Sequence, residues 1–428
     1  MKWRLSSPLM AIVAEGLLSR LSFGLINFSL PLYARHLGLS LTEVGVLAAL
    51  SSAVALGFKP LVGWAADRFG LKRMYLVAIS ARSLVSLAFG FAITPWELFA
   101  IRGAHGISRS LRDPSANALL AEHGGEKSVA SAFAWYQTAK TVAGSLSRAL
   151  AGVLLTITAA NYTLVFLIAF GLSVLPLLAV ARYVKEHRDP TVPREHRGSS
   201  AALLAGGEDA GPSGSAMPGH PRVLPFVGLG FLMAGTAEML NSLFPVLATE
   251  YAGLSSAQAG VIYAVSTLGI IFSGPIFGWL SDTVSRRLVL AVRAVANTGS
   301  SILYLLFPTF AGIAVAKAAD DMGRAAFRPA WGSLMAEVSS FDKRNRARTM
   351  GWMSMGEDAG AALSPVLAAF LWATWGIAAL MGFRVALALA TELYVLLITR
   401  NPGGEDSEAR VLPRRRAQRT TCKAPRAL

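Results

Sequence analysis

The sequence predicts an all-α membrane protein with twelve transmembrane helices in two pseudo-symmetric six-helix bundles. Three observations predict it. Of 428 residues, 54% are hydrophobic and only 15% charged, and the mean hydropathy is +0.49. A soluble globular chain carries about 25% charged residues, so the bilayer is the better solvent for this one. Second, the sequence repeats itself at a shift of 215 residues. GWAADRFGLKR (63–73) returns as GWLSDTVSRRL (278–288), RSLRDPSANALLAE (109–122) as RAAFRPAWGSLMAE (324–337), and GLSLTEVGV (38–46) as GLSSAQAGV (253–261). Three matches at one shift mean two copies of one unit. Third, the loops on one side carry Lys2, Arg4, Arg68, Lys72, Arg73, Lys127, Lys185, Arg188, Arg286, Arg287 and Lys343, whereas Arg35 stands almost alone on the other. Positive charge stays inside, which places both termini in the cytoplasm.

A helix needs about 20 apolar residues to cross a bilayer, and lipid-facing backbone must satisfy its own hydrogen bonds. Twelve spans meet this: Pro8–Tyr33, Thr42–Ala65, Met74–Ile93, Trp96–Leu119, Val129–Ile157 and Tyr162–Val184, then Val223–Ala248, Ala257–Leu280, Leu288–Phe307, Thr309–Met335, Thr349–Ala373 and Ile377–Thr399. The first is too long for a signal-peptide core and reads as a retained helix. Residues 1–184 thus form an amino-terminal bundle and 223–400 a carboxy-terminal one. Between them, 185–222 is rich in Gly, Pro, Ser and charge and reads as a flexible cytoplasmic linker. Residues 401–428 read as a basic cytoplasmic tail suited to anionic lipid.

The net charge of +15 does not point to nucleic acid, because the basic residues fall in short runs between apolar spans. The single cysteine, Cys422, excludes an intrachain disulfide and a cysteine-based metal cluster. No GxxxxGK[ST] phosphate loop and no HExxH helix occurs, so neither ATP hydrolysis nor zinc catalysis has a carrier. The chain is read as a non-enzyme without cofactor or metal, acting as a monomer on a small molecule and protons in membrane lipid.

Twelve helices, parallel repeats, a long central loop and GxxxDRxGxKR between helices 2 and 3 resemble the major facilitator superfamily of secondary transporters, whose halves are related by an axis along the membrane normal. The resemblance covers about residues 8–400. Here Leu71 follows the second glycine where that family usually has a basic residue, and the second copy has Ser285 in place of that glycine. The resemblance implies a conformational latch: Gly63 packing helix 2 on helix 11, Asp67 facing the positive end of helix 11 with Arg112 as ion-pair partner, and Arg68, Gly70, Lys72 and Arg73 completing the loop. The mirrored set is Gly278 and Asp282 with Arg324 or Arg328. The bland alternative is a turn cap with cations that only enforce topology.

Each ionisable residue at mid-bilayer costs about 2.5–3.5 kcal/mol on insertion scales, so one kept there has a task or a partner. The amino half offers Glu15 and Arg20 on helix 1, Arg102, His105 and Arg109 on helix 4, and Lys140 and Arg148 on helix 5. The carboxy half offers Glu238 on helix 7, Lys317, Asp320, Asp321 and Arg324 on helix 10, and Glu357 and Asp358 on helix 11. Helices 3, 6 and 9 are read as nearly free of charge away from their ends. Glu238 or Asp321 is the expected protonation site, with Arg20, Lys140 and Arg148 as anion contacts. Alternatively Glu15 pairs with Arg20, and Lys317 or Arg324 with the two aspartates, as structural salt bridges. Arg102 and Gly106 resemble the superfamily's RxxxG motif on helix 4, associated there with proton coupling. Asn27 and Asn241, at near-equivalent places, can bond substrate or each other. Trp135 and Tyr136 suit an interfacial belt, and Gly351, Gly356 and Gly360 form a small-residue packing face on helix 11.

The reading that results is a proton-coupled transporter of small molecules in the cell membrane, working by alternating access. Its efflux (antiporter) direction follows from resemblance to bacterial drug and metabolite exporters, although helix 5 has Gly144 and Gly152 without the GxxxGPxxGG pattern. Proton-coupled uptake of an organic anion is the alternative that the cationic first half favours. A transport-inactive membrane sensor or scaffold is the third.

Overall fold

The computed structural model describes residues 7–69, 71–123, 129–183, 223–283, 286–340 and 346–399, with side chains absent from the description at 59–71, 120–135, 277–291 and some shorter stretches. The described residues form helices joined by short turns and contain no strand. In chain order the helices are α1 (Ser7–His36), α2 (Leu41–Phe69), α3 (Leu71–Phe91), α4 (Pro95–His123), α5 (Val129–Ile157) and α6 (Tyr162–Tyr183), followed by α7 (Val223–Asn241), α8 (Ser256–Thr283), α9 (Arg286–Leu306) and α10 (Phe310–Ser340). The last stretch, Arg346–Thr399, is one helical run broken only at Gly376, whose φ of 82° no other residue type adopts readily; it divides into α11 (346–375) and α12 (377–399). Among these are six stretches long and apolar enough to cross a membrane, such as Leu9–His36 and Tyr162–Arg182. α4, α5 and α10 fall short of that measure because they carry the charges of the site.

The repeat is visible at atomic detail in the α1–α2 and α7–α8 corners. Gly38 and Gly253 both have positive φ, 87° and 63°. Two residues on, Ser40 and Ser255 cap α2 and α8. The Ser40 amide donates to Glu43 Oε2 at 2.7 Å and the Glu43 amide to Ser40 Oγ at 3.3 Å. At the same offset, the Ser255 amide donates to Gln258 Oε1 at 2.9 Å and the Gln258 amide to Ser255 Oγ at 3.2 Å. Each is a capping box, satisfying two amides that a helix start leaves without partners.

α7 departs from the continuous span expected over Val223–Ala248. It stops at Asn241, and Pro245 opens a short turn, Phe244–Val246, that passes into a π-helical turn, Leu247–Tyr251. Proline lacks the amide that would continue the ladder, and irregular backbone in a membrane protein survives where it is buried in protein, as Phe244, Val246, Leu247 and Ala248 are here.

Within the halves, α1 packs on α5 and α6, and α7 on α11; between them, α2 meets α11 and α5 meets α8. The seam is close because it is built on glycine. A Cβ at Gly45 would lie 2.6 Å from the Pro365 carbonyl, and one at Gly260 would lie 2.8 Å from that of Ala149. One at Gly152 would collide with the Ser256 carbonyl. The α11 glycines divide: Gly356 and Gly360 press on the carbonyls of Val227 and Phe231, whereas Gly351 faces open space.

The apolar cores show how the halves meet. One buried cluster runs across the seam at the end where α1 finishes, joining Phe28, Leu32, Val44 and Leu47 to Leu243, Phe244, Leu247, Tyr263 and Ala369. At the other end there are two separate clusters: Leu9, Ile12, Tyr75 and Tyr136 in the amino half, and Leu229, Trp331, Met353 and Val395 in the carboxy half. Among the described residues, then, the halves share a core at the end where α1 finishes, and the two clusters described toward the other end each lie within one half.

Candidate functional site

Between the halves lies a cavity of about 860 Å³, and residues from α1, α2, α4, α5, α7, α8, α10 and α11 line it. The amino half contributes Arg20, Arg102, Arg109, Arg112, Lys140 and Arg148 and no carboxylate. The carboxy half contributes Glu238, Asp321, Glu357 and Asp358 with Arg324. Asn27 and Asn241 stand on opposite sides. All the expected pathway residues except Glu15 and Asp320 reach this cavity.

Two further arginines come from helices expected to be free of charge, which corrects that reading. Arg82, midway along α3, and Arg293, on α9, are both buried and both line the cavity. Arg82 Nη2 donates to the Ser19 carbonyl of α1 at 3.1 Å, and Arg293 Nη2 to the Met233 carbonyl of α7 at 2.7 Å. In each half, then, the third helix sends one arginine to the backbone of the first. Their separation of 211 residues is one helical turn short of the repeat, so no identity marks them as a pair. A lone arginine in an apolar run was the available signal, and the insertion-cost argument applies to it unchanged.

Glu15 sits behind the amino-half surface, fully buried. It pairs with Arg112 and not with Arg20: Arg112 Nε and Nη2 donate to its two oxygens at 2.8 and 2.9 Å, and Tyr75 Oη adds a third bond at 2.5 Å. Arg112 thus pairs with Glu15 in the bundle interior, and its expected pairing with Asp67 falls outside the described side chains. Tyr136 lies 3.4 Å from Arg112 and is 1% exposed, so it belongs to this network and not to an interfacial belt. The latch residues Gly63, Asp67, Arg68, Gly70, Gly278, Asp282 and Arg328 lie outside the described side chains. Lys72 is half-buried and Arg73 exposed.

The carboxy half holds its own charge cluster. Lys317 Nζ reaches both oxygens of Asp321 at 2.6 and 2.7 Å, and Ser266 Oγ donates to Asp321 at 2.8 Å. Arg324 bridges Asp320 at 2.9 Å and Asp321 at 3.1 Å. Arg384 of α12, with no exposed surface, pairs with Asp320 and also donates to Ser301 Oγ at 2.9 Å and the Thr236 carbonyl at 3.2 Å. The two aspartates turn to different partners, as adjacent residues on a helix must.

Glu238 is held differently: its hydrogen bond comes from the amide of Asn241, 2.9 Å away. Asn27 accepts from Arg102 Nη1 at 3.1 Å, so the two asparagines do not bond each other. Phe23 is stacked on His105, with ring centroids 4.0 Å apart, and carries the Arg82 guanidinium 3.9 Å from its own centroid. Groups that close must occupy opposite ring faces. Arg148 reaches across the seam to lie over Tyr263, 4.8 Å from the ring centre. Among the described residues no group of three or more His, Cys, Asp or Glu could hold a metal ion.

A family model described as Major Facilitator Superfamily matches residues 16–224 and 226–424. The chain belongs to that superfamily. Multidrug resistance protein MdtG of Proteus mirabilis is 24% identical over 391 residues, 89% of this chain and 92% of that protein. The uncharacterised MFS-type transporter YqjV of Bacillus subtilis is 33% identical over 105 residues, a local match covering 24% of this chain and 26% of its own length. The crystal structure of the nucleoside transporter NupG superposes with a TM-score of 0.70 at 14% identity, over 92% of this chain and 98% of that one, which shows the shared fold. Membership makes the chain a multi-pass membrane transporter. Transporters built from such repeats bind substrate at the repeat interface, where this cavity lies.

Proposed function

We propose that the protein carries a small organic solute across the cell membrane by alternating access, outward and in exchange for protons. One observation carries the reading: a polar, charge-lined cavity between two repeats that share an apolar core at the end where α1 finishes. That arrangement suits one pose of a rocking pair, closed at the end that the loop charges assign to the outside. The similarity to MdtG supports export. Proton-coupled uptake through the same cavity is the second reading, favoured by the cationic amino half.

Glu238 is the better placed of the two expected protonation sites. Asp321 is already tied by Lys317, Arg324 and Ser266. Glu238 faces the cavity with one neutral amide. The test is a proteoliposome assay with a pH-sensitive dye in the lumen and a panel of dyes, antibiotics and carboxylates. Substrate-driven alkalinisation of an acid-loaded lumen is the expected result, and co-accumulation of substrate with protons marks uptake. Glu238→Gln should abolish proton-driven accumulation while sparing substrate exchange. Unchanged coupling in that variant removes Glu238 from the role, and silence with every solute leaves the scaffold reading.

A further inference from the structure

We infer that the cavity receives a small organic anion, whose charged group, a carboxylate or its equivalent, docks on the amino-half surface between Arg102 of α4 and Arg148 of α5. The inference rests on the transporter reading above and adds the class of solute. Three observations carry it.

The first is the charge count. Among the described residues, nine Lys and Arg side chains line the cavity against four carboxylates, an excess of five. Adding the buried groups behind the lining changes nothing, because Glu15 and Asp320 come with Lys317 and Arg384. However the pairs are drawn among these groups, the balance stays at five positive. A low-dielectric cleft lined by one sign focuses its field and concentrates the opposite charge. Retaining the excess costs several kcal/mol by insertion scales, and a bound anion offsets it.

The second is polarity. All the carboxylates that line the cavity lie on the carboxy half, and the amino half presents seven cations and none. An anion therefore has one favourable face, and the net excess of cations selects it over an organic cation. The third is what Arg102 and Arg148 touch. Arg102 is 9% exposed, its Nη1 donates only to the neutral amide oxygen of Asn27, and its Nε has no partner. Arg148 rests on the face of Tyr263. Neither has a carboxylate within ion-pair distance among the described residues. Unlike Arg112, Arg324 and Arg384, they are left for a ligand. Guanidinium is the group that takes a carboxylate with two parallel hydrogen bonds, and stacking on tyrosine fixes the plane of its fork.

Arg148 also joins the two movements. It belongs to the amino half but rests on a carboxy-half ring, so an anion that draws it away loosens a contact across the seam.

The experiment is ligand-induced thermal stabilisation of the full-length protein in detergent, with no gradient. The probes are a panel of aromatic and aliphatic carboxylates (benzoate, 4-hydroxybenzoate, succinate, citrate), the matched amides, and ethidium. At least one carboxylate should stabilise, its amide should not, and raised salt should weaken the effect. Arg102→Gln and Arg148→Gln should each weaken binding roughly ten- to a hundredfold, the range for losing one charge-assisted contact. Arg102→Lys should restore part of it. Stabilisation by ethidium or the amides with none by any carboxylate overturns the inference, and so does undiminished carboxylate binding in both Gln variants. Should either variant fail to fold, the wild-type contrast between acid and amide still decides. Binding without proton-driven flux would sink the proposed function and leave this inference standing. Flux of neutral or cationic solutes without carboxylate binding would do the reverse.

Discussion

Arg35 and Glu250 stand 215 residues apart, the offset of the repeat, and they meet across the seam. Arg35 Nε lies 2.7 Å from Glu250 Oε1 and Nη2 lies 3.0 Å from Oε2, a bidentate pair. Equivalent positions of two parallel copies approach each other only near the axis that relates them, so this pair marks the axis at the closed end. Both side chains are about one-third exposed.

An exposed pair is worth about 0.2–1 kcal/mol, enough to shift a two-state balance by up to about fivefold. In a Cys422→Ser background with a reporter cysteine at Val44, Glu250→Gln should raise labelling by an impermeant maleimide by up to about that factor. The swap Arg35→Glu with Glu250→Arg should bring it back. An unchanged rate in Glu250→Gln would mean that the pair closes nothing.

The glycine contacts at the seam allow a sharper perturbation. Gly152→Leu and Gly260→Leu place side chains where backbone from the other half now stands, and each should cut transport at least tenfold. Gly103→Ala, with nothing within 4 Å of the added carbon, should leave transport near wild type. Melting temperatures measured alongside would separate a blocked seam from a misfolded half.

Breaking a buried ion pair costs about 3–5 kcal/mol because the surviving charge has no partner. Glu15→Gln, which strands Arg112, should lower the unfolding midpoint in detergent by several degrees. Adding Arg112→Gln should recover part of the loss. If the double variant is no better than the sum of the singles, the two residues are not acting as a pair.

Asp320 and Glu238 should part company. Asp320→Asn leaves Arg384 buried without its carboxylate and is expected to reduce folded yield. Glu238→Gln should fold normally and fail only in coupling. Size-exclusion profiles read beside flux test the contrast, and equal yields with equal flux would refute it.

The architecture was legible because its signals are long or repeated. The 215-residue shift and the length of the spans can both be read without knowing which way a helix faces. Even the boundary at Gly376 falls between two expected spans. The cavity was half legible: residues chosen for their insertion cost do reach it. Pairing was legible within α10, where Lys317 and Arg324 do meet the two aspartates, and failed for Glu15. Glu15 lies five residues from Arg20, yet it bonds Arg112, 97 residues away, because helix rotation and tertiary approach decide which neighbour arrives first. Arg82 and Arg293 were passed over because helices 3 and 9 were read as nearly free of charge away from their ends, and Arg384 on α12 was not singled out. A side chain of that length can travel inward past its own helix. Pro245 breaks α7 where hydropathy alone read on through it.

Arg384 ends up tied to α7, α9 and α10 from its own place on α12, so four helices of one lobe are cross-braced by a single side chain. The seam has no such brace among the described residues: it is apolar contact, close glycines and a partly wetted ion pair. Such a lobe turns as a block, and apolar surfaces without directional bonds let it pivot where the two lobes touch.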